Sequence, residues 1–248
     1  RLSGYSLNQL ASLAGIWIFS GLCAFWAPPW VWFLAVGALA WPLLRRARFG
    51  LLGRGLLAAA VAALAWFPRA ADRTTIWSPY QKLDVRPIRV GLNQGYAVTV
   101  NNIGYMNLLD LSRRGLEGLP IFVDPALRAF SQYDLPYRFL DRSADAVLIV
   151  GAGGGNEVAG ALRAGARRIT AVEIDPGIYR IGRQLHPEAP YADPRVSVVI
   201  SDARSVFKRT PARFDVICFG LLDAHSQSSS YNNMRLDHYV YTEESFRE

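Results

Sequence analysis

A turn built almost entirely of glycine constrains this chain more than any other feature. Residues 146–150 are apolar and rich in branched side chains, which predicts a buried strand. Gly151-Ala-Gly-Gly-Gly155 follows, and helix-forming sequence extends from about Asn156 to Ala164. Glycine allows positive φ and a close approach of ligand to backbone, while the helix directs unpaired N–H groups at the turn. We therefore predict a nucleoside-binding α/β unit in which Gly151, Gly153 and Gly155 contact the ligand.

Two carboxylates follow at the ends of the next two predicted strands. Residues 169–172 end in Glu173, about 20 residues past the turn, where a carboxylate can accept both hydroxyls of a ribose. Residues 196–200 lead into Asp202, which can accept the exocyclic amine of an adenine at the sheet edge. Asn156 replaces the third glycine of the dinucleotide fingerprint, which weakens an NAD interpretation. The order of these features predicts an adenosyl-sulfonium ligand; an α/β domain with an empty pocket is the alternative.

The region before this unit is apolar. Hydrophobic residues make up 51% of the 248 residues and the formal charge is +7, a balance that favours membrane helices joined to a folded domain. We expect about three transmembrane helices, near residues 7–26, 30–44 and 51–67, in contact with a lipid bilayer. Buried core helices of a soluble protein are the alternative, although these stretches lack a polar face.

The remaining organisation follows from composition. We expect transmembrane helices over residues 1–68, a linker and small β-rich part over 69–140, and a Rossmann-like domain over 141–248. Residues 82–90 and 95–101 alternate as strands around a glycine-containing turn. Cys23 and Cys218 lack metal-ligand spacing, so neither a disulfide framework nor a metal is predicted. No basic stretch is interleaved with aromatic residues, which argues against nucleic acid as a partner.

Several short segments after residue 76 carry a family resemblance in their order. They read WSPYQKLD from Trp77, GAGGGNE from Gly151, VEID up to Asp175, SDAR from Ser201, FDVI from Phe214 and YTEESF up to Phe246. In this order they resemble the spermidine synthase (polyamine aminopropyltransferase) family, and more closely its membrane-fused bacterial branch. With the apolar stretches, the resemblance implies a multi-pass protein of the bacterial inner membrane. We expect the folded domain to be cytoplasmic, because the donor is supplied there. The opposite orientation is the alternative, because the positive-inside rule places the basic residues between Arg45 and Arg54 in the cytoplasm.

The resemblance also implies roles for individual residues. It assigns Gln81 to the aminopropyl donor, Glu173 to the ribose, and Asp202 with Ala203 to the adenine. The donor would be decarboxylated S-adenosylmethionine or S-adenosylmethionine itself, without a metal, and the acceptor a small amine. Tyr137 lies where the family places aromatic residues around the ligand, so it is a candidate substrate-binding residue; packing is the alternative.

The acidic residues that the family uses for its chemistry are only partly present. The expected D-S-x-D segment after the fourth strand reads Gly220-Leu-Leu-Asp223, so Asp223 is the candidate catalytic acid and the first acid is absent. Gly154 replaces the acid of the glycine turn, and residues 100–105 lack the expected acceptor-side glutamine. His225 can supply a base or bind substrate because the ordinary pKa of histidine lies near neutrality. A loop-capping role for Asp223 is the alternative.

These observations lead to one expected function and two alternatives. We expect a membrane-anchored transferase that moves an aminopropyl group to a polyamine. An S-adenosylmethionine-dependent methyltransferase and a catalytically inactive transferase-like subunit of a membrane complex are the alternatives. A homo-oligomer or a larger complex would supply sheet strands that the sequence does not contain after the fourth, and a C-terminal truncation would account for the same absence.

Overall fold

The computed structural model describes residues 2–46, 51–65, 72–119, 130–220 and 240–247. The chain divides into two compact units. The first comprises Arg1–Ala71 and Ile76–Tyr80, and the second comprises Asp72–Thr75 and Gln81–Glu248.

Three helices form the N-terminal part of the chain: α1 (Leu2–Ala24), α2 (Pro29–Arg46) and α3 (Leu51–Ala65). Among the described residues, only α1 is long and apolar enough to cross a membrane, over Gly4–Ala24. The apolar part of α2 ends at Pro42 and α3 has 15 residues. At about 1.5 Å per residue these segments reach roughly 21 to 23 Å, less than the ~30 Å hydrocarbon core of a bilayer. The prediction of about three membrane-spanning helices is therefore wrong, and a multi-pass arrangement is not supported.

A four-stranded sheet lies next in the chain, with its strands in the order β1-β2-β3-β4. The strands are β1 (Thr74–Trp77), β2 (Lys82–Val90), β3 (Asn93–Val100) and β4 (Ile103–Leu108). β2 and β3 pair antiparallel from Leu83 opposite Val100 to Val90 opposite Asn93, which confirms the predicted hairpin. β3 and β4 are joined through two asparagines of positive φ, Asn101 and Asn102, which suit a tight hairpin turn.

A parallel sheet of four strands in the order β7-β6-β5-β8 forms the centre of the second unit. Its strands are β5 (Ala146–Val150), β6 (Arg168–Glu173), β7 (Val196–Ile200) and β8 (Val216–Phe219). The helices of this unit are α4 (Arg113–Glu117), α5 (Leu135–Arg138), α6 (Asn156–Arg163), α7 (Pro176–Leu185), α8 (Ala203–Arg209) and α9 (Glu243–Arg247). The chain adds β6 and β7 on one side of β5 and then returns to add β8 on the other. This reversal places the topological switch point, where ligands bind in such sheets, at the carboxyl end of β5.

Apolar side chains on both faces of β5 hold the sheet in place. All five residues of β5 are buried, as its uninterrupted apolar run predicts for a strand covered on both faces. Val147 and Ile149 pack with Val158 and Ala161 of α6 on one face. The alternate residues of β5 pack with residues of β6 and α8 on the other face, and these are Leu148, Val150, Val172 and Ala203. The core therefore fixes the carboxyl ends of β5 and β6, which carry the predicted site.

Candidate functional site

The glycine turn adopts the backbone conformation that its sequence predicts. Gly151, Gly153 and Gly155 have φ values of 72°, 55° and 102°, in the left-handed region that side chains with a Cβ rarely adopt. The N–H groups of Gly151 and Ala152 both donate to the carbonyl of Val172, at 2.9 Å. These hydrogen bonds join the turn after β5 to the end of β6.

Glu173 lies directly beside this turn. Its Oε2 accepts a hydrogen bond from the Gly153 N–H at 2.8 Å, and its Oε1 accepts one from the Asp175 N–H at 2.8 Å. The residue is 5% exposed. Burial raises the pKa of Glu173 to about 7, against the opposing effect of the two N–H donors. The carboxylate is thus fixed in orientation at the carboxyl end of β6.

Gln81 reaches the same edge of the sheet from the start of β2. Its Nε2 donates to Oδ2 of Asp175 at 3.0 Å, and Oδ1 of Asp175 accepts the Gly177 N–H at 2.7 Å. Asp175 is the N-cap of α7 and is 1% exposed. Asp175 therefore connects Gln81 to Glu173: its side chain accepts a hydrogen bond from Gln81, and its N–H donates to Glu173. Gln81 and Glu173 lie 92 positions apart in sequence.

Asp202 and Ala203 follow the next strand along the same edge. The Ser201 N–H donates to the carbonyl of Glu173 at 3.0 Å, so the end of β7 lies beside the end of β6. Asp202 is exposed, and its Oδ1 accepts the Ser205 N–H at 2.9 Å as the N-cap of α8. Ala203 is buried. A capping role accounts for the local position of Asp202, and adenine recognition stays a prediction.

The other predicted site residues are Tyr137, Asp223 and His225. Tyr137 packs against the core between β5 and α6, and its hydroxyl lies 3.6 Å from Sγ of Cys218. Burial raises the pKa of Tyr137 well above its usual value, so the hydroxyl stays protonated. Asp223 and His225 lie in residues 221–239, outside the described residues.

Asn156 connects the glycine turn to its surroundings through contacts that the sequence did not reveal. Its Nδ2 donates to the carbonyl of Asn107 at 3.1 Å and lies 3.2 Å from the hydroxyl of Tyr133. Nδ1 of His186 accepts the Glu188 N–H, so Nε2 carries the hydrogen and donates to Oδ1 of Asn156 at 3.0 Å. Burial lowers the pKa of His186 to about 4, with the charge of Arg163 acting in the same direction, and the ring is neutral. In the sequence, the only sign of this hydrogen-bond network was Asn156 itself, which replaces the third glycine of the dinucleotide fingerprint.

A small cavity of about 20 Å³ opens at the turn. Its walls include Gly151, Gly153, Gly154, Tyr105, Met106, Tyr133, Asn156 and Glu157. This volume is far below the ~300 Å³ of a typical ligand pocket, so these residues alone do not enclose a nucleoside. Residues 221–239 follow β8 in the chain and belong to the part that the structure does not describe.

Comparison with known proteins gives matches over the same region. Residues 136–242 match the family model of the spermine/spermidine synthase domain. The polyamine aminopropyltransferase of Serratia proteamaculans (strain 568) is 40% identical over 78 residues, which are 30% of this chain and 27% of that protein. The enzyme of the same name from Korarchaeum cryptofilum (strain OPF8) is 28% identical over 85 residues, 33% of this chain and 26% of that protein. The chain thus spans about a quarter of the length of these relatives.

Solved structures of similar fold include spermidine synthases. One, in complex with the transition-state analogue AdoDATO, has a TM-score of 0.48 and 18% identity, and the match covers 70% of this chain and 52% of that one. Spermidine synthase from Thermotoga maritima has a TM-score of 0.47 and 16% identity over 70% of this chain and 50% of that one.

The parallel sheet, its switch point and the glycine turn at β5 define a Rossmann-like α/β domain. Within this class, residues 136–242 are similar to the spermine/spermidine synthase domain.

Proposed function

We propose that the second unit binds an adenosyl-sulfonium donor at the carboxyl edge of the parallel sheet and transfers an aminopropyl group from it to an amine. The observation that carries this proposal is the buried carboxylate of Glu173, held beside the glycine turn by the N–H groups of Gly153 and Asp175. Each carboxylate oxygen accepts one of these bonds and has a further lone pair, which suits the two hydroxyls of a ribose.

The neighbouring residues fit the rest of such a donor. Gln81, held by Asp175, would bind the aminopropyl end next to the ribose. Ala203 and Asp202, at the end of β7, would contact the adenine. The relatives described above are polyamine aminopropyltransferases, which favours decarboxylated S-adenosylmethionine as the donor and a small amine as the acceptor. Asp223 and His225 remain predicted contributors to the acceptor side.

We further propose that α1 anchors the chain in a membrane. Its stretch of membrane-spanning length is Gly4–Ala24, and its described side chains are largely exposed, as those of a lipid-facing helix would be. A donor that is an intracellular metabolite places the transferase unit on the cytoplasmic side.

Isothermal titration calorimetry of the full chain with both sulfonium compounds tests this function. The wild type should bind the decarboxylated donor more tightly than S-adenosylmethionine. Glu173→Gln should bind it at least about 30-fold more weakly, because hydrogen bonds to a charged acceptor contribute roughly 1.5 to 3 kcal/mol each. Glu117→Gln, which removes an exposed carboxylate of α4, is the matched control and should bind like the wild type.

Two outcomes would contradict the proposal in different ways. Tighter binding of intact S-adenosylmethionine would indicate methyl transfer. Absence of heat with either compound, from a chain whose circular dichroism shows a folded protein, would indicate a subunit without transferase activity.

A further inference from the structure

Glu157 lies at the point where the glycine turn and the end of β8 meet. It is the second residue of α6, and it lines the cavity formed by Gly151, Gly153 and Gly154. Its Oε1 is 3.3 Å from the position that a Cβ on Gly220 would occupy. The carboxylate therefore stands beside the residue at which the family resemblance predicts an acid and this chain has glycine.

The two positions without their expected acids are crowded. A Cβ on Gly154 would lie 2.4 Å from Cδ2 of Leu108 and 2.7 Å from Sδ of Met106. A Cβ on Gly220 would lie 2.5 Å from the carbonyl oxygen of Gly151. An acid at Gly220 would therefore require a backbone shift, whereas an acid at Gly154 would require the side chains of Leu108 and Met106 to move. If an acid acts here, another residue must supply it.

The surroundings of Glu157 favour a cationic ligand. The titratable groups whose charges bear on it in the described residues are Glu173 on β6, Cys218 on β8 and the hydroxyls of Tyr133, Tyr137 and Tyr191. All of these are neutral or negative at neutral pH, so a protonated amine entering the cavity would meet a negative field. Burial, and secondarily the charge of Glu173, raises the pKa of Glu157 to about 7.

We propose that Glu157 is the catalytic carboxylate that takes the proton from the attacking amine, in place of the acids absent at Gly154 and Gly220. This inference rests on the proposed aminopropyl transfer. It assigns the acceptor to a small compound with a protonated amine, bound between the glycine turn and the end of β8.

The reaction balances with this single proton acceptor. The ammonium group of the acceptor gives one proton to the Glu157 carboxylate, which leaves a neutral amine with a free lone pair. The lone pair forms a nitrogen–carbon bond to the aminopropyl carbon next to the sulfonium sulfur. The carbon–sulfur bond breaks, its electron pair goes to the sulfur, and neutral methylthioadenosine leaves. The new secondary amine carries the positive charge as an ammonium, and the Glu157 proton passes to solvent.

The test compares Glu157→Gln and Glu157→Asp with the wild type and with Glu117→Gln as the matched control. Decarboxylated S-adenosylmethionine is the donor, and diamines of three to five carbons are the acceptor probes. In the wild type with donor and acceptor both saturating, kcat should rise with pH through about 7, as Glu157 loses its proton. Saturation removes the effect on donor binding of Glu173, whose pKa is also about 7. Glu157→Gln should lower kcat at least about 100-fold and remove this rise, while donor affinity by calorimetry stays within twofold. Glu157→Asp should retain intermediate activity, because the carboxylate remains but is one methylene further away.

The outcomes separate this inference from the function on which it rests. A wild type that binds the decarboxylated donor and transfers its aminopropyl group, with a Glu157→Gln variant that keeps the pH rise or stays within threefold of its kcat, overturns the role of Glu157 alone. A wild type that binds no donor overturns the proposed function and this inference with it. Loss of donor binding together with turnover in Glu157→Gln would assign the residue to donor binding and would also overturn the proton-acceptor role.

Discussion

Gly220 replaces an acid that the family resemblance predicts, and its backbone lies against the glycine turn. Its position at the end of β8 brings its Cα close to the glycine turn, and its N–H donates to the carbonyl of Val150 at 2.8 Å. The Gly151 carbonyl oxygen lies where a Cβ would need space. The side chain is absent because two backbones approach each other here.

Gly220→Ala is therefore expected to destabilise the fold. Overpacking of a tight contact costs about 1 to 3 kcal/mol, which corresponds to a fall in the midpoint of thermal unfolding of roughly 4 to 8 °C for 2 kcal/mol. Circular dichroism of the full chain during heating measures this. Gly104→Ala is the matched control, because a Cβ on Gly104 would meet no atom within 4 Å. Equal midpoints of thermal unfolding for the two variants would contradict this prediction, because they would show that the turn and β8 move apart without loss of stability.

The residues at the strand ends also show what the sequence can and cannot reveal. Glu173 was predictable, since a carboxylate after an apolar strand at a fixed distance from a glycine turn has a known geometric meaning. Asn156 and Glu157 were not. Their contacts join α6 to β4, β8 and the loop after α7, and such contacts depend on helix orientation that periodicity does not define.

At the scale of elements, the glycine turn depends on a short 3-10 turn, Pro190–Ala192, that packs beneath it. The hydroxyl of Tyr191 lies 2.8 Å from the carbonyl oxygen of Gly153 and 3.2 Å from that of Ala152. Tyr191 is 8% exposed, and its ring meets that of Tyr179 edge to face at 5.0 Å. One buried hydroxyl thus holds two carbonyl groups of the turn.

Tyr191→Phe should weaken the glycine turn without altering its packing. The Gly153 carbonyl loses the Tyr191 hydroxyl as a donor, and the Ala152 carbonyl keeps only the Gly155 N–H. The loss costs about 1 to 3 kcal/mol, and hydrogen exchange of amides in the turn should accelerate accordingly. Exchange monitored by mass spectrometry on peptides covering residues 150–160 measures the effect. Tyr179→Phe is the matched control, because it keeps the ring pair and removes a hydroxyl that is not bonded to the turn. Equal exchange in both variants would show that the Tyr191 hydroxyl does not hold the turn.

The strands themselves were the most predictable elements. β5 and β7 begin and end where their apolar runs do, and β6 differs by one residue at its start. An uninterrupted apolar run predicts a buried parallel strand, because other elements cover both faces of such a strand. β8 begins at Val216, two residues into the FDVI segment, because the Asp215 side chain accepts the N–H groups of Asp145 and Ala146 before the strand starts.

At the scale of the whole chain, composition predicted an apolar N-terminal part but overestimated how much of it spans a bilayer. The sequence has three apolar stretches separated by prolines and arginines. Helix length decides between spanning and not spanning, and α2 and α3 are too short in their apolar parts. Composition gives the average hydrophobicity of the region, whereas the length of the apolar stretch in each helix decides whether that helix can span a bilayer.

If α1 alone anchors the chain, one charge at its centre should be enough to disturb the anchor. Leu13 lies at the middle of α1 and is 52% exposed. Leu13→Arg places a guanidinium at the bilayer midplane, which costs about 2.5 to 3.5 kcal/mol on insertion scales and should increase the chain extracted from membranes by an alkaline wash at least about tenfold. Ser6→Arg is the matched control, because a long side chain near a helix end can extend its charge to the interface. Equal extraction of Leu13→Arg and Ser6→Arg would contradict the anchoring role, since a guanidinium at the bilayer midplane should cost far more than one near the interface.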